Sequence, residues 1–310
     1  MKILVTGGAG FIGSHFVDRF VAEGHQVWVL DNLRTGTEAN LNPKAEFILM
    51  DLKDSAMKAE VAKIRPHAVF HLAAQIDVRV SCSNPVFDAV ENIMATLMLI
   101  EAGLKSGMEF FGFASSGGAI YGEAAAGPQT EDHPEAPMSP YGVAKLAVDK
   151  YLHTYEILRG LKSVSLRFSN VYGPRQGAKS EAGVVALFAK RLRDGMPIYV
   201  NGDGLQTRDF IYVTDLAEAA SLALKQSATG VFNLGTGLET SILDLAKNLC
   251  AIAGADTFLI RHAPAIHGEQ RRSVIDPSKA AKVLVWSPRT SFANGLKTAF
   301  DWFAASGTKT

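Results

Sequence analysis

Along the first 170 residues, short apolar runs alternate with longer segments of helical period. Residues 2–5, 27–30, 46–50, 68–72, 110–114 and 163–168 read as strands, and helical patterns lie between most of them. Regular alternation of this kind predicts parallel strands joined by helical crossovers, each strand covered on both faces. The predicted fold class is α/β, a doubly wound parallel sheet. Beyond Asn170 the pattern loosens. Gly173, Pro174, Gly195, Pro197, Gly202 and Gly204 punctuate a loop-rich stretch before helical patterns resume near Val213 and Ser241. This divides the chain into a first domain over residues 1–170 and a smaller lobe over 171–310, from which some segments return to the first domain. The 310 residues suit that division at roughly 150 per domain.

Composition narrows the partners. Hydrophobic residues make up 47% and charged residues 20%, the profile of a packed globular chain. Lys plus Arg (31) balances Asp plus Glu (31), so no global positive field attracts a nucleic acid backbone or an anionic membrane. Any anion must be bound locally. Cys82 and Cys250 build no disulfide framework, and no Cys/His spacing suggests a zinc site. Residues 3–5 are too short an apolar start for a signal peptide, and no run of roughly 18 apolar residues follows. A cytoplasmic protein with neither nucleic acid nor membrane as partner is expected.

Candidate chemistry begins where the first strand ends. Gly7, Gly10 and Gly13 stand as Gly-x-x-Gly-x-x-Gly, and a helical pattern runs from Phe11 to about Glu23, where Gly24 stops it. Between a strand and a helix, such glycines allow a tight turn and close approach of a pyrophosphate to the backbone. The helix N-terminus adds N–H groups and a positive dipole. Asp31 ends the second strand, 18 residues past Gly13, where a carboxylate accepts hydrogen bonds from both ribose hydroxyls and repels a 2′-phosphate. NAD is favoured over NADP, although Arg34 nearby leaves an opening for the phosphorylated form. Asp51 and Leu52, after the third strand, suit an adenine contact and a plain surface loop equally.

Residues 139–145 read Ser-Pro-Tyr-Gly-Val-Ala-Lys. Ser139 can cap a helix, and Pro140 is tolerated at its first position. The predicted helix runs to about Arg159 and stops at Gly160. Tyr141 and Lys145 are four apart and share one face. A phenol is a poor base at neutral pH, but a lysine ammonium one turn away and a positive nicotinamide ring would both favour its phenolate. His71, after a strand, reads as packed and hydrogen-bonded rather than reactive.

With these motifs the chain resembles the NAD-dependent nucleotide-sugar epimerase/dehydratase family of extended short-chain dehydrogenase/reductases. Residues 6–13, 71–75, 115–122, 139–145, 166–174 and 208–213 match its motifs in order, over essentially the whole chain. The resemblance implies NAD held by Gly7, Gly10, Phe11, Ile12, Gly13, Asp31, Asn32, Asp51, Leu52, Leu72, Ala73, Ala74, Tyr141 and Lys145, with Phe168 near the nicotinamide. It implies a nucleotide-sugar substrate touched by Asn170 and Arg208, with residues 197–204, Tyr199 among them, holding the base. An ion pair with Asp209 is the alternative use of Arg208. It also implies a homodimer, in which the apolar helix over 89–103 and the one starting at Pro140 pair with their copies; those stripes suit a sheet-facing core equally well.

Two departures matter for the reaction. Dehydrating members carry an acid just before the Tyr-Gly that corresponds to Tyr121 and Gly122, whereas here Gly117, Gly118 and Ala119 stand. That favours 4-epimerisation, most simply between UDP-glucose and UDP-galactose, over dehydration or decarboxylation. A non-catalytic NAD sensor would have no need of the Tyr/Lys pair. The usual catalytic Ser/Thr aligns with Gly117, which leaves its role to Ser116 or a water, Ser115 and Ser116 otherwise reading as a strand-end turn. In the segment over 263–269 the family's phosphate-binding Arg is replaced by Ile266, leaving Arg271 or Arg272 to reach a diphosphate. Ser273, small at the position that limits sugar size, would admit N-acetylated sugars.

Overall fold

The computed structural model describes residues 1–124, 127–177, 183–266 and 268–306. The predicted strands are present as β1 (Lys2–Thr6), β2 (Gln26–Asp31), β3 (Glu46–Leu49), β4 (Ala68–His71), β5 (Phe110–Ser116) and β6 (Lys162–Phe168). A seventh strand, Gly230–Leu234, comes from far along the chain and pairs in parallel with β6, Leu234 opposite Phe168. The sheet is parallel throughout, in the order β3-β2-β1-β4-β5-β6 and then Gly230–Leu234.

Both faces of this sheet are apolar and both are covered. The helices Phe11–Ala22 and Val213–Lys225 close one face through Phe16, Val17, Phe20, Leu216 and Ala220. Met57–Ile64, Ala95–Lys105 and Pro140–Arg159 close the other through Met57, Val61, Leu99, Val148 and Leu152. Each large side chain so buried contributes roughly 1.5–3 kcal/mol. β1 pairs with β2 on one side and β4 on the other, so the chain order reverses there and a crevice opens beyond the carboxyl ends of these strands.

Two expectations are corrected. The stretch read as loop-rich contains the helix Val184–Arg193. Its flanking glycines and prolines hide ten residues of helical period, whose Val185, Phe188 and Leu192 pack with Leu245, Leu249, Leu296 and Ala299 in the core of the second lobe. The segment over 89–103 is not one regular helix. It begins as the last residue of Pro85–Ala89, passes through a π-turn over Val90–Met94, and continues into Ala95–Lys105. The wider turn buries Asn92.

Short strands lie outside this sheet. Asn170–Tyr172 pairs with Phe210–Tyr212, and Thr207–Arg208 lies between Thr240–Ser241 and Arg272–Ser273, which sets Arg208 beside Ser273. Among the described residues, no helix is long and apolar enough to cross a membrane.

Candidate active site

All the residues expected to hold the dinucleotide line the crevice, from Gly7, Gly10, Phe11, Ile12 and Gly13 through Asp31, Asn32, Asp51, Leu52, Leu72, Ala73 and Ala74 to Tyr141, Lys145 and Phe168. Gly7 has φ +71, and a Cβ there would lie 2.5 Å from the Ala73 backbone nitrogen. Only glycine permits that approach of β1's end to β4's. The Phe11–Ala22 helix starts at Gly10 with no side-chain cap and no acid in its first turn, which leaves its positive end open towards the crevice.

Asp31 accepts the Ala9 N–H on one carboxylate oxygen at 3.0 Å and the Leu33 N–H on the other at 2.8 Å. Burial pushes its pKa up and these backbone bonds pull it back. Each oxygen retains a lone pair for a ribose hydroxyl. Asp51 accepts from Asn32 Nδ2 at 2.9 Å and from the Lys53 N–H at 2.9 Å, so it braces the Asn32 side chain at the crevice wall. The Arg34 guanidinium lies 4.9 Å over the Phe87 ring.

The Pro140–Arg159 helix begins and ends as its sequence dictates. Ser139 Oγ accepts the Gly142 N–H at 3.2 Å, and Gly160 terminates it with φ +65. Lys145 Nζ donates to the Ala114 carbonyl at 2.8 Å and stands 5.7 Å from the Tyr141 ring centroid. Burial brings the Lys145 pKa down to about 8, against the opposing pull of the Asp149 and Asp88 carboxylates. Burial, seconded by Asp88, pushes the Tyr141 phenol well above its ordinary value. In the protein alone, taking a phenolate out of water dominates this group.

Ser116 ends β5 and precedes the short helix Gly117–Ile120 without capping it. It is Ser115, buried on the opposite side of the strand, that lines the crevice. Ser115 Oγ makes no hydrogen bond of ordinary length, though it bears on the Asp149 carboxyl. A Cβ on Gly117 would lie 2.9 Å from Ile275 Cγ2 and 3.0 Å from its Cδ1. A side chain at this position would require the Ile275 side chain to shift.

The residues expected to meet the sugar nucleotide stand apart from that crevice wall. Asn170 opens the Asn170–Tyr172 strand, half-buried. Tyr199 is exposed beneath the Arg191 guanidinium, 5.1 Å from its ring centroid. Ser273 is buried, its Oγ 3.6 Å from where a Gly118 Cβ would be. Arg208 makes no pair with Asp209, which instead accepts from the Thr236 N–H at 2.9 Å and its Oγ1 at 2.7 Å. Its contacts are the Thr207 carbonyl at 2.8 Å and Glu269 at 3.5 Å.

Arg271 and Arg272, the other cations expected near a diphosphate, stand in surface ion pairs. Arg271 is held bidentately by Asp203 at 2.8 and 2.7 Å, and Arg272 by Glu239 at 2.5 Å. Planar carboxylates match those guanidiniums directly. Ile266 is exposed, and His267 lies outside the described residues.

His71 is packed and bonded on both ring nitrogens, to Thr6 Oγ1 at 2.6 Å and Thr96 Oγ1 at 2.8 Å. Thr96 Oγ1 donates to the Asn92 carbonyl, so it accepts from His71 Nε2, and the ring is the neutral Nε2–H form. Burial, with the Lys145 charge, lowers the His71 pKa to about 3. The unfolded chain then binds the extra proton between about pH 6.5 and 3, so this group's contribution to stability falls as pH drops through that window. Urea midpoints at pH 5 and pH 7 should differ less for His71→Gln than for the parent; an equal difference would remove His71 as the source.

The NAD dependent epimerase/dehydratase family matches residues 3–235, and the chain belongs to this family. The UDP-glucose 4-epimerase of Mycolicibacterium smegmatis is 40% identical over 309 residues, 98% of each chain. The crystal structure of the Thermotoga maritima UDP-glucose 4-epimerase with UDP-glucose superposes with a TM-score of 0.96 at 43% identity over 99% of each chain. The Thermus thermophilus UDP-glucose 4-epimerase complexed with NAD gives 0.93 at 42% identity, covering 98% of this chain and 99% of that one.

Proposed function

We propose that this chain is a nucleotide-sugar 4-epimerase that interconverts UDP-glucose and UDP-galactose through a 4-keto sugar. The observation that carries the reading is the Tyr141 and Lys145 pair on the wall of a dinucleotide crevice, with no carboxylate among Gly117, Gly118 and Ala119 to serve as a dehydrating acid.

The residues present fit NAD. The uncapped helix end at Gly10 suits the pyrophosphate, Asp31 suits an unphosphorylated ribose, and the buried Ser115 hydroxyl faces the crevice with no ordinary partner. What NAD supplies when bound is a reversible hydride acceptor for the sugar C4. Tyr141 Oη takes the 4-hydroxyl proton and later returns it, with Lys145 placed to contact the nicotinamide ribose and to favour the phenolate. Asn170 would hold the sugar, residues 197–204 with Tyr199 the base, and Ser116 or a water the sugar oxygen. Arg208 is the cation for the diphosphate: burial disfavours its charge, and its carboxylate contact is long. Space must remain for the keto sugar to turn without admitting water.

Incubating the protein with UDP-glucose and following the sugar by proton NMR tests this. UDP-galactose is expected; loss of water from the sugar would replace the reading with dehydration. UDP-N-acetylglucosamine should be turned over or compete, since Ser273 is small at the position expected to limit sugar size. Asp31→Ala should weaken NAD binding by roughly 10–100-fold, the worth of hydrogen bonds to a charged group, and narrow the preference over NADP. Calorimetric titration with both dinucleotides reads it, and unchanged NAD affinity would remove Asp31 from the ribose site.

The same reading includes a homodimer. The Pro85–Ala89 helix and π-turn pack beside Pro140–Arg159 and leave Met94, Val143 and Tyr151 exposed for a second copy. It also includes a cytoplasmic setting.

A further inference from the structure

We propose that Asp209 is a positioning residue for the sugar-nucleotide site, registering Asn170, Arg208 and Ser273 on the end of the seventh sheet strand. The proposal rests on the reading that those three residues meet a nucleotide sugar.

Asp209 is the single residue between the strands Thr207–Arg208 and Phe210–Tyr212, and it is 1% exposed. Its backbone serves both sides. The Asp209 N–H donates to the Ser273 carbonyl at 3.0 Å, and its own carbonyl accepts the Asn170 N–H at 2.8 Å. Before it Arg208 stands in register with Ser273, and after it Phe210 stands in register with Asn170. Three expected substrate contacts, widely separated in the chain, thus converge on one residue.

The carboxylate decides where that residue sits. Oδ1 accepts from the Thr236 N–H at 2.9 Å and from Thr236 Oγ1 at 2.7 Å, while Oδ2 accepts the Gly237 N–H at 3.2 Å and shares the Thr236 N–H at 3.1 Å. A buried carboxylate is costly without such donors, and the turn over residues 235–237 supplies them. Gly235 makes the room: a Cβ there would lie 2.4 Å from Asp209 Oδ2 and 2.7 Å from Ile275 Cγ1. This turn directly follows Gly230–Leu234, whose Leu234 lies opposite Phe168 and accepts the Ser169 N–H at 3.0 Å. Phe168 in turn lines the crevice. The Asp209 carboxylate therefore ties the substrate strands to the sheet end that carries Phe168. A nucleotide sugar must span both, with its C4 at the crevice and its diphosphate at Arg208. A misplacement of about 1 Å between the two costs on the order of a hundredfold in rate.

The test compares Asp209→Asn, Thr236→Val and Thr236→Ser, each loaded with NAD, by calorimetric titration with UDP and by kcat and KM for UDP-glucose. An amide accepts on one atom only and turns its NH2 onto the backbone N–H groups. Asp209→Asn should therefore raise the UDP Kd and the KM about tenfold, the worth of hydrogen bonds to a charged group, while kcat changes less and NAD content after gel filtration is unchanged. Thr236→Val removes one donor, keeps both N–H groups and should raise the same two constants several-fold; Thr236→Ser keeps the hydroxyl and should match the parent. Unchanged UDP affinity in Asp209→Asn overturns the proposal. So does loss of NAD in step with UDP, which a general loosening of the fold would give. If Asp209→Asn does not fold, the threonine variants decide: weaker UDP binding by Val than by Ser supports the proposal, and equal binding overturns it. A parent that neither binds UDP nor epimerises its sugars overturns the functional reading itself, whereas a normal parent with unaltered variants overturns the positioning role alone.

Discussion

Replacing Tyr141 with Phe should lower UDP-glucose epimerisation about a thousandfold, within the usual range for a positioned acid–base group, and leave NAD bound. The change removes one hydroxyl and nothing else. The ring still packs on the crevice wall, and Ser139, Pro140 and Gly142 still start the helix. The glycine turn and Asp31, at the other end of the crevice, are untouched. Turnover by coupled assay and NAD content after gel filtration read the two halves separately. A variant that keeps a tenth of the parent rate would show that Tyr141 is not the base.

Gly13→Ala should be the most damaging single methyl in the crevice. Its Cβ would lie 2.8 Å from the Gly7 carbonyl carbon, closer still to the oxygen, and 2.9 Å from the Gly8 Cα. All are backbone atoms of the turn, which cannot swing aside as a side chain can. Either the helix lifts from β1 or the turn opens, at about 3 kcal/mol by the usual cost of overpacking. The melting temperature should drop by several degrees and NAD retention should be lost. Gly177→Ala, with none of the described residues within 4 Å of its Cβ, is the matched control and should leave both unchanged. Equal behaviour of the two variants would show that the turn tolerates side chains.

Much of the site is legible in the chain because its parts are local. A strand end, three glycines and a helix start lie within residues 2–22, and Ser139 to Lys145 carry their own cap and helical spacing. The seventh strand was harder to read. Residues 230–234 have strand character, but nothing nearby says that they will pair with β6, 62 residues back from Gly230 to Phe168. The Val184–Arg193 helix was obscured by the glycines and prolines around it. Asp88 and Asn92 carry no motif, and the motif ending at Gln75 does not say what Gln75 bonds, since a π-turn brings the three separate positions together.

The alternation of strands and helices, the glycine turn, the acid after β2 and the Tyr/Lys spacing are readable from the chain, because each depends on residues within a turn or two of one another. That Arg271 and Arg272 pair with Asp203 and Glu239, that Ser115 lines the crevice, and that burial raises the Tyr141 phenol emerge from the folded arrangement alone. Ion pairing, strand facing and desolvation depend on what lies opposite in space. A periodic pattern records which face a residue takes, but not which distant charge or wall that face will meet.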